Sequence, residues 1–197
     1  VAGRDTSEAS RRSQAELGRI AMSENRWLDG EQQYAAAAAA YGTAGDGAEQ
    51  ARPTELAASS RFKGAEDQMA HGDTLGAAGT FATVAGRYPK FARSDVALYR
   101  AGLASLAGGK PHAADEHFAR MRERFPASTL AGDALLKRGE AALAAQDTLG
   151  AARVLADGGA LARGDSLGLA AQEEAARLFR AGGAPDHQAL VLDLRAQ

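Results

Sequence analysis

One six-residue phrase occurs twice in this chain, 74 positions apart: Asp73-Thr74-Leu75-Gly76-Ala77-Ala78 and Asp147-Thr148-Leu149-Gly150-Ala151-Ala152. Midway between them stands a diverged copy, Lys110-Pro111-His112-Ala113-Ala114, so the period is 37. Phe81 and Phe118, Tyr88-Pro89 and Phe125-Pro126, Leu98 and Leu135, and Gly102 and Gly139 keep the same step. A unit of this length is one supersecondary element that hides its apolar face by stacking on its neighbours, so the period predicts a solenoid of helical pairs. Folds of this kind act by offering surface.

The residue types agree with helices. Of 197 residues 45% are hydrophobic but only 6% aromatic, and the apolar share is dominated by alanine, the best helix former. No strand-like alternation of Val, Ile and Thr competes with an all-α reading. The clearest unit predicts helices over 128–145 and 147–161, with Ser128 after Pro126 as the N-cap of the first. A step of 37 toward the N-terminus predicts 91–108 and 111–124, where Pro111 falls in the first turn and its missing N–H does no harm. The same step forward predicts 165–181, capped by Asp165, and 185–197. Earlier the pattern is looser, with helices expected over 53–71 and 73–87, preceded by 6–28 and 31–45. The Gly- and Asp-containing stretch Thr43 to Pro53 reads as a loop. The expectation is one domain over 1–197, built of about five antiparallel pairs at 6–45, 53–87, 91–124, 128–161 and 165–197.

Little in the chain points to catalysis. Lys and Arg number 23 against 25 Asp and Glu, which argues against a nucleic-acid binder. Cysteine is absent, which removes thiolate chemistry and disulfides. No apolar run of about 18 residues is present to span a bilayer. His71, His112, His117 and His187 lack the i, i+4 spacing that aims two imidazoles at one metal. Asp115-Glu116 and Glu173-Glu174 are adjacent, so on a helix they point about 100° apart and cannot share acid and base roles. Gly108-Gly109 and Gly182-Gly183 lack the Lys-Ser or Lys-Thr of a phosphate loop. Arg120, Arg122 and Arg124 scatter around a helix at two-residue spacing. No enzyme activity, metal or cofactor is expected.

Leu17-Gly18, Gly102 and Gly139, the pairs Ala77 with Phe81 and Ala114 with Phe118, and the closing Pro89 and Pro126 together resemble the tetratricopeptide repeat. That family implies a TPR-like right-handed solenoid whose first helices line a concave groove. Units ending in Tyr-Pro or Phe-Pro are similar to those of bacterial envelope proteins, the outer-membrane assembly lipoproteins and the Tol-Pal coordinator. The later units depart from the pattern: Arg163 replaces the closing proline and Leu192 the aromatic. The family's groove positions fall on Phe62, Glu66, Tyr99, Leu103, Leu136, Glu140, Glu173 and Arg177. These imply a scaffold that binds a peptide or protein partner. The Lys and Asn pairs that clamp a C-terminal carboxylate in some members are missing. A second expectation is head-to-tail self-assembly into an extracellular or envelope filament through Leu190, Val191 and Leu194 of the last helix. Val1 in place of Met leads us to expect a processed, trimmed or incomplete chain, and an extracytoplasmic bacterial setting (periplasm, outer envelope or exterior) ahead of the cytoplasm.

Overall fold

The computed structural model describes residues 8–161 and 166–184. Among these residues run nine helices and no strand: α1 (Glu8–Ser23), α2 (Trp27–Thr43), α3 (Gly47–Ala70), α4 (Thr74–Arg87), α5 (Ser94–Ala107), α6 (Pro111–Arg124), α7 (Ala131–Ala144), α8 (Thr148–Leu161) and α9 (Ser166–Ala181). They form two compact units, Val1–Ala97 and Leu98–Gln197, with the division falling within α5.

The period of 37 is written into the backbone. Gly72, Gly109, Gln146 and Gly183 follow one another at that step, and each has positive φ, at 82°, 69°, 63° and 75°. At every one of these corners two orphan carbonyls of the ending helix are satisfied. Gly109 N–H donates to the Leu106 carbonyl (3.0 Å) and Lys110 N–H to Ser105 (2.8 Å); Gln146 and Asp147 do the same to Leu143 and Ala142. This is the left-handed helix closure that glycine accommodates without a Cβ penalty. The second kind of junction ends α4 and α6 at Tyr88-Pro89 and Phe125-Pro126. There Phe91 N–H bonds Tyr88 O, and Ser128 N–H bonds Phe125 O, both at 3.0 Å.

The repeated phrase is a cap. Asp73 accepts from Gly76 N–H (3.0 Å) and Asp147 from Gly150 N–H (2.8 Å), satisfying one free donor at the start of α4 and of α8. In the diverged copy Lys110 makes no side-chain cap, and Pro111 opens α6.

The N-terminal half departs from the expected boundaries. The helix expected over 6–28 ends at Ser23, because Asn25 enters the left-handed region (φ 58°) and Arg26 N–H closes back on Ala21 O at 2.8 Å. Asparagine tolerates that conformation better than most residues. The helix expected over 31–45 therefore starts earlier, at Trp27. The loop expected from Thr43 to Pro53 shrinks to a corner at Gly45 (φ 77°), and α3 begins at Gly47 and runs through Pro53. Proline forfeits one N–H bond in the second turn, yet its ring is buried and α3 continues to bury Ala57, Ala58 and Phe62. Ser128 accepts from Leu130 N–H at 3.2 Å in the turn ahead of α7, three residues before the helix starts, rather than capping it. Asp165 and the helix expected over 185–197 lie outside the described residues.

Within each of the four pairs whose two helices are both described, a small residue on the first helix stands sixteen positions ahead of a large one on the second. Gly18 meets the Tyr34 ring, where a β-carbon would lie 3.0 Å from Cγ and both Cδ atoms. A β-carbon on Gly102 would lie 2.5 Å from Cε1 and Cζ of Phe118, and one on Gly139 would lie 3.0 Å from Leu155. Between α3 and α4, Ala65 and Phe81 hold the corresponding places, both buried. The core of the first unit adds an edge-on contact of Phe62 with Phe81 at 5.0 Å. That of the second is built on Leu135, Ala151, Leu155, Ala175, Leu178 and Phe179.

Candidate functional site

In the second unit, four of the expected wall residues share one region. Tyr99 of α5 is half-buried, its ring 5.6 Å from that of Phe118, and its hydroxyl donates a hydrogen bond to Asp133 of α7. One turn along each helix stand Leu103 and Leu136, both half-buried, with Leu136 packed on the core cluster. Burial, the bond to Asp133, and the negative charges of Asp133 and Glu140 all push the Tyr99 hydroxyl well above its ordinary pKa, so it remains a neutral donor. Glu140 is exposed and pairs with Lys137 at 2.8 Å. On α9, Glu173 and Arg177 are exposed, and Arg177 pairs with Glu174 at 2.6 Å. A fixed tyrosine, two half-covered leucines and exposed charges can anchor a peptide; they carry no pair poised for acid and base work.

The two wall residues expected in the first unit behave differently. Phe62 is 1% exposed, enclosed by Phe81, by Phe91 at 6.1 Å and by the Arg93 guanidinium 4.0 Å over its ring. It is a core residue, because two aromatic rings and a guanidinium cover its ring. Glu66, one turn on, is half-buried and pairs with Lys63 (2.9 Å) and Arg93 (4.0 Å). Leu190, Val191 and Leu194 lie outside the described residues.

Sequence reasoning missed a buried, multiply bonded carboxylate in the first unit. Glu31 of α2 is 1% exposed and accepts from Arg61 Nε (3.0 Å), Arg87 Nη1 (3.1 Å) and the Tyr88 hydroxyl (2.7 Å). Burial, then the Glu31 bond, raises the Tyr88 pKa. The partners lie 30 to 57 residues away in sequence, so no local pattern marks the cluster. The one available signal was the acidic residue itself, ahead of the alanine run of α2.

Elsewhere in the second unit, Arg138 binds Asp115 at 2.8 Å, tying α7 to α6. Burial lowers the pKa of His117, and the nearby Arg120 adds to it. Among the described residues no group of three or more His, Asp or Glu is arranged to hold a metal ion. No helix among them is long and apolar enough to cross a membrane.

No curated protein matches the sequence. The fold is similar to that of the nearly identical TPR-like repeats of a Podosopora anserina kinesin light chain, with TM-score 0.53 and 19% identity over 96% of both chains. It is also similar to the MamA protein, with TM-score 0.50 and 14% identity, covering 96% of this chain and 91% of that one. At these identities the likeness concerns the fold alone. Within this TPR-like helical repeat fold, residues 96–128, which cover most of α5 and all of α6, match the family model of the tetratricopeptide repeat.

Proposed function

We propose that this chain is a non-catalytic protein-interaction scaffold whose binding wall runs over the first helices of the second unit. Tyr99 and Leu103 on α5, Leu136 and Glu140 on α7, and Glu173 and Arg177 on α9 make that wall. The observation that carries the reading is the Tyr99–Asp133 bond, which fixes an aromatic edge beside two half-covered leucines. Rigid aromatic anchors with adjoining apolar surface and a charged rim are the composition of binding hot spots. The partner is a peptide segment with two apolar anchors, held in register by a basic side chain opposite Glu140. We place it in the bacterial envelope on the resemblance of the Tyr-Pro and Phe-Pro units, which cell fractionation checks.

The test is a peptide array probed with the purified chain, followed by titration of the selected peptides. Leu103→Glu and Glu140→Lys should each weaken binding about tenfold or more, as loss of an anchor or reversal of a paired charge does. Glu140 is exposed, so its substitution leaves helicity intact and reads binding alone. Affinities unchanged by both substitutions would move the binding surface elsewhere.

A further inference from the structure

Gly18, Ala65, Gly102 and Gly139 hold equivalent places, and the step of 37 carries the series on to Ala176. Around each of them the first helix has a second stripe, which in α1 is Ser13, Leu17 and Ile20. On α3, α7 and α9 this stripe meets the second helix of the preceding pair. Ser60 Oγ donates to the Trp27 carbonyl (2.7 Å), and a β-carbon on Gly64 would lie 3.1 Å from that of Trp27. Arg138 of α7 reaches Asp115 of α6, and Ala171, Ala175 and Leu178 of α9 share one core with Ala151 and Ala152 of α8. Asp67 alone among the stripe residues of the later first helices is exposed.

Among the described residues no second helix precedes α1. Its whole stripe is exposed, Leu17 at 49% and Ile20 at 37%. Two large apolar side chains thus stand in water at positions that the repeat covers elsewhere, and what covers them elsewhere is a second helix.

The register also says which second helix fits. Asp115 meets Arg138, and a β-carbon on Gly159 would lie 2.5 Å from Cγ of Gln172. Arg138 corresponds on α1 to Leu17, and Gln172 to Gln14. Two steps beyond Asp115 the sequence has Ala189, and one step beyond Gly159 it has Ala196. In the described second helices these places are taken: Ala78, Ala85, Ala152 and Gly159 are buried, and Glu31 and Asp115 are ion-paired. Residues 185–197 open on Pro185, at the place of Pro111, and carry the stripe in alanine. Alanine leaves room for a leucine at position 17, where α9 has the buried Ala175.

We propose that the outer stripe of α1 is a docking surface for residues 185–197 of a second copy of this chain, stacked as a preceding second helix is. The contact joins two different faces, so it runs head to tail from copy to copy. It uses none of the wall residues named above, and it gives the self-assembly expected from the sequence an acceptor face.

Light scattering over a concentration series of the unaltered chain comes first, and the mean mass should climb above the 20.3 kDa of one copy. Leu17→Arg, at an exposed position and with helicity checked by circular dichroism, should weaken association about tenfold or more. Adding Ala189→Asp to it should recover most of that loss, because the two changes recreate the Asp115–Arg138 pair at the same register. The chain has no cysteine, so a mixture of Leu17→Cys and Ala189→Cys copies reports the contact directly. Disulfides should form faster between unlike copies than between Leu17→Cys copies alone, and this reading stands even if the charged variants fail to fold. Four results would overturn the proposal: the mass of one copy at every concentration, association unchanged by Leu17→Arg, no recovery in a folded double variant, or unlike copies cross-linking no faster than like ones.

Discussion

A hydrogen in place of a methyl group sets how closely the paired helices approach. Gly102 lies against the Phe118 ring with no room for a β-carbon, whereas Gly79 of α4 is exposed, and a β-carbon there would meet nothing within 4 Å. Gly102→Ala should therefore destabilise the chain by about 1–3 kcal/mol through overpacking. Gly79→Ala should stabilise it by roughly 0.5–1 kcal/mol, because an exposed helix interior prefers alanine. Urea unfolding of the two variants checks both signs, and equal effects would refute the packing argument. These positions were legible in the sequence because a glycine and an aromatic recur at a fixed step. Phe62 was placed on the groove by the family resemblance, which says which positions are equivalent, but which of them are covered depends on neighbours such as Phe91 and Arg93, which come later in the chain.

At the scale of helices and corners, start and stop chemistry outweighs composition. Asp73 and Asp147 begin helices wherever the repeated phrase stands, and positive φ ends the preceding helix one or two residues earlier. The repeat places glycine at three of its four regular corners, and at the fourth stands Gln146, exposed, with φ 63°. A non-glycine residue there bears a steric cost of about 1 kcal/mol. Gln146→Gly should recover most of it, raising the midpoint of thermal unfolding by a few degrees for a chain of this size; an unchanged or lowered midpoint would count against the strain. The boundaries of α1 to α3 were not legible because their signals are weak alone. Asn25 ends a helix without glycine, and Pro53 reads as a breaker although the apolar face of α3 carries the helix past it.

For the molecule as a whole, stability is distributed along the chain, and within the first unit it converges on Glu31. That carboxylate joins α2, α3 and the end of α4 through Arg61, Arg87 and Tyr88. Removing one member of a buried charged cluster leaves the others uncompensated, so Glu31→Gln should cost about 3 kcal/mol. In a repeat fold, stability is close to a sum of local terms. Hydrogen exchange should accordingly speed up in α2 to α4 while α7 to α9 keep their protection; uniform acceleration would mean that the chain opens as one body. The same cluster sets an order of events during synthesis. Glu31 finds its last partner at Tyr88, 57 residues later, so α2 leaves the ribosome well before its buried charge can be matched. At about 5–20 residues per second that gap lasts several seconds, during which Arg61, 30 residues on, is the first of its partners to be made.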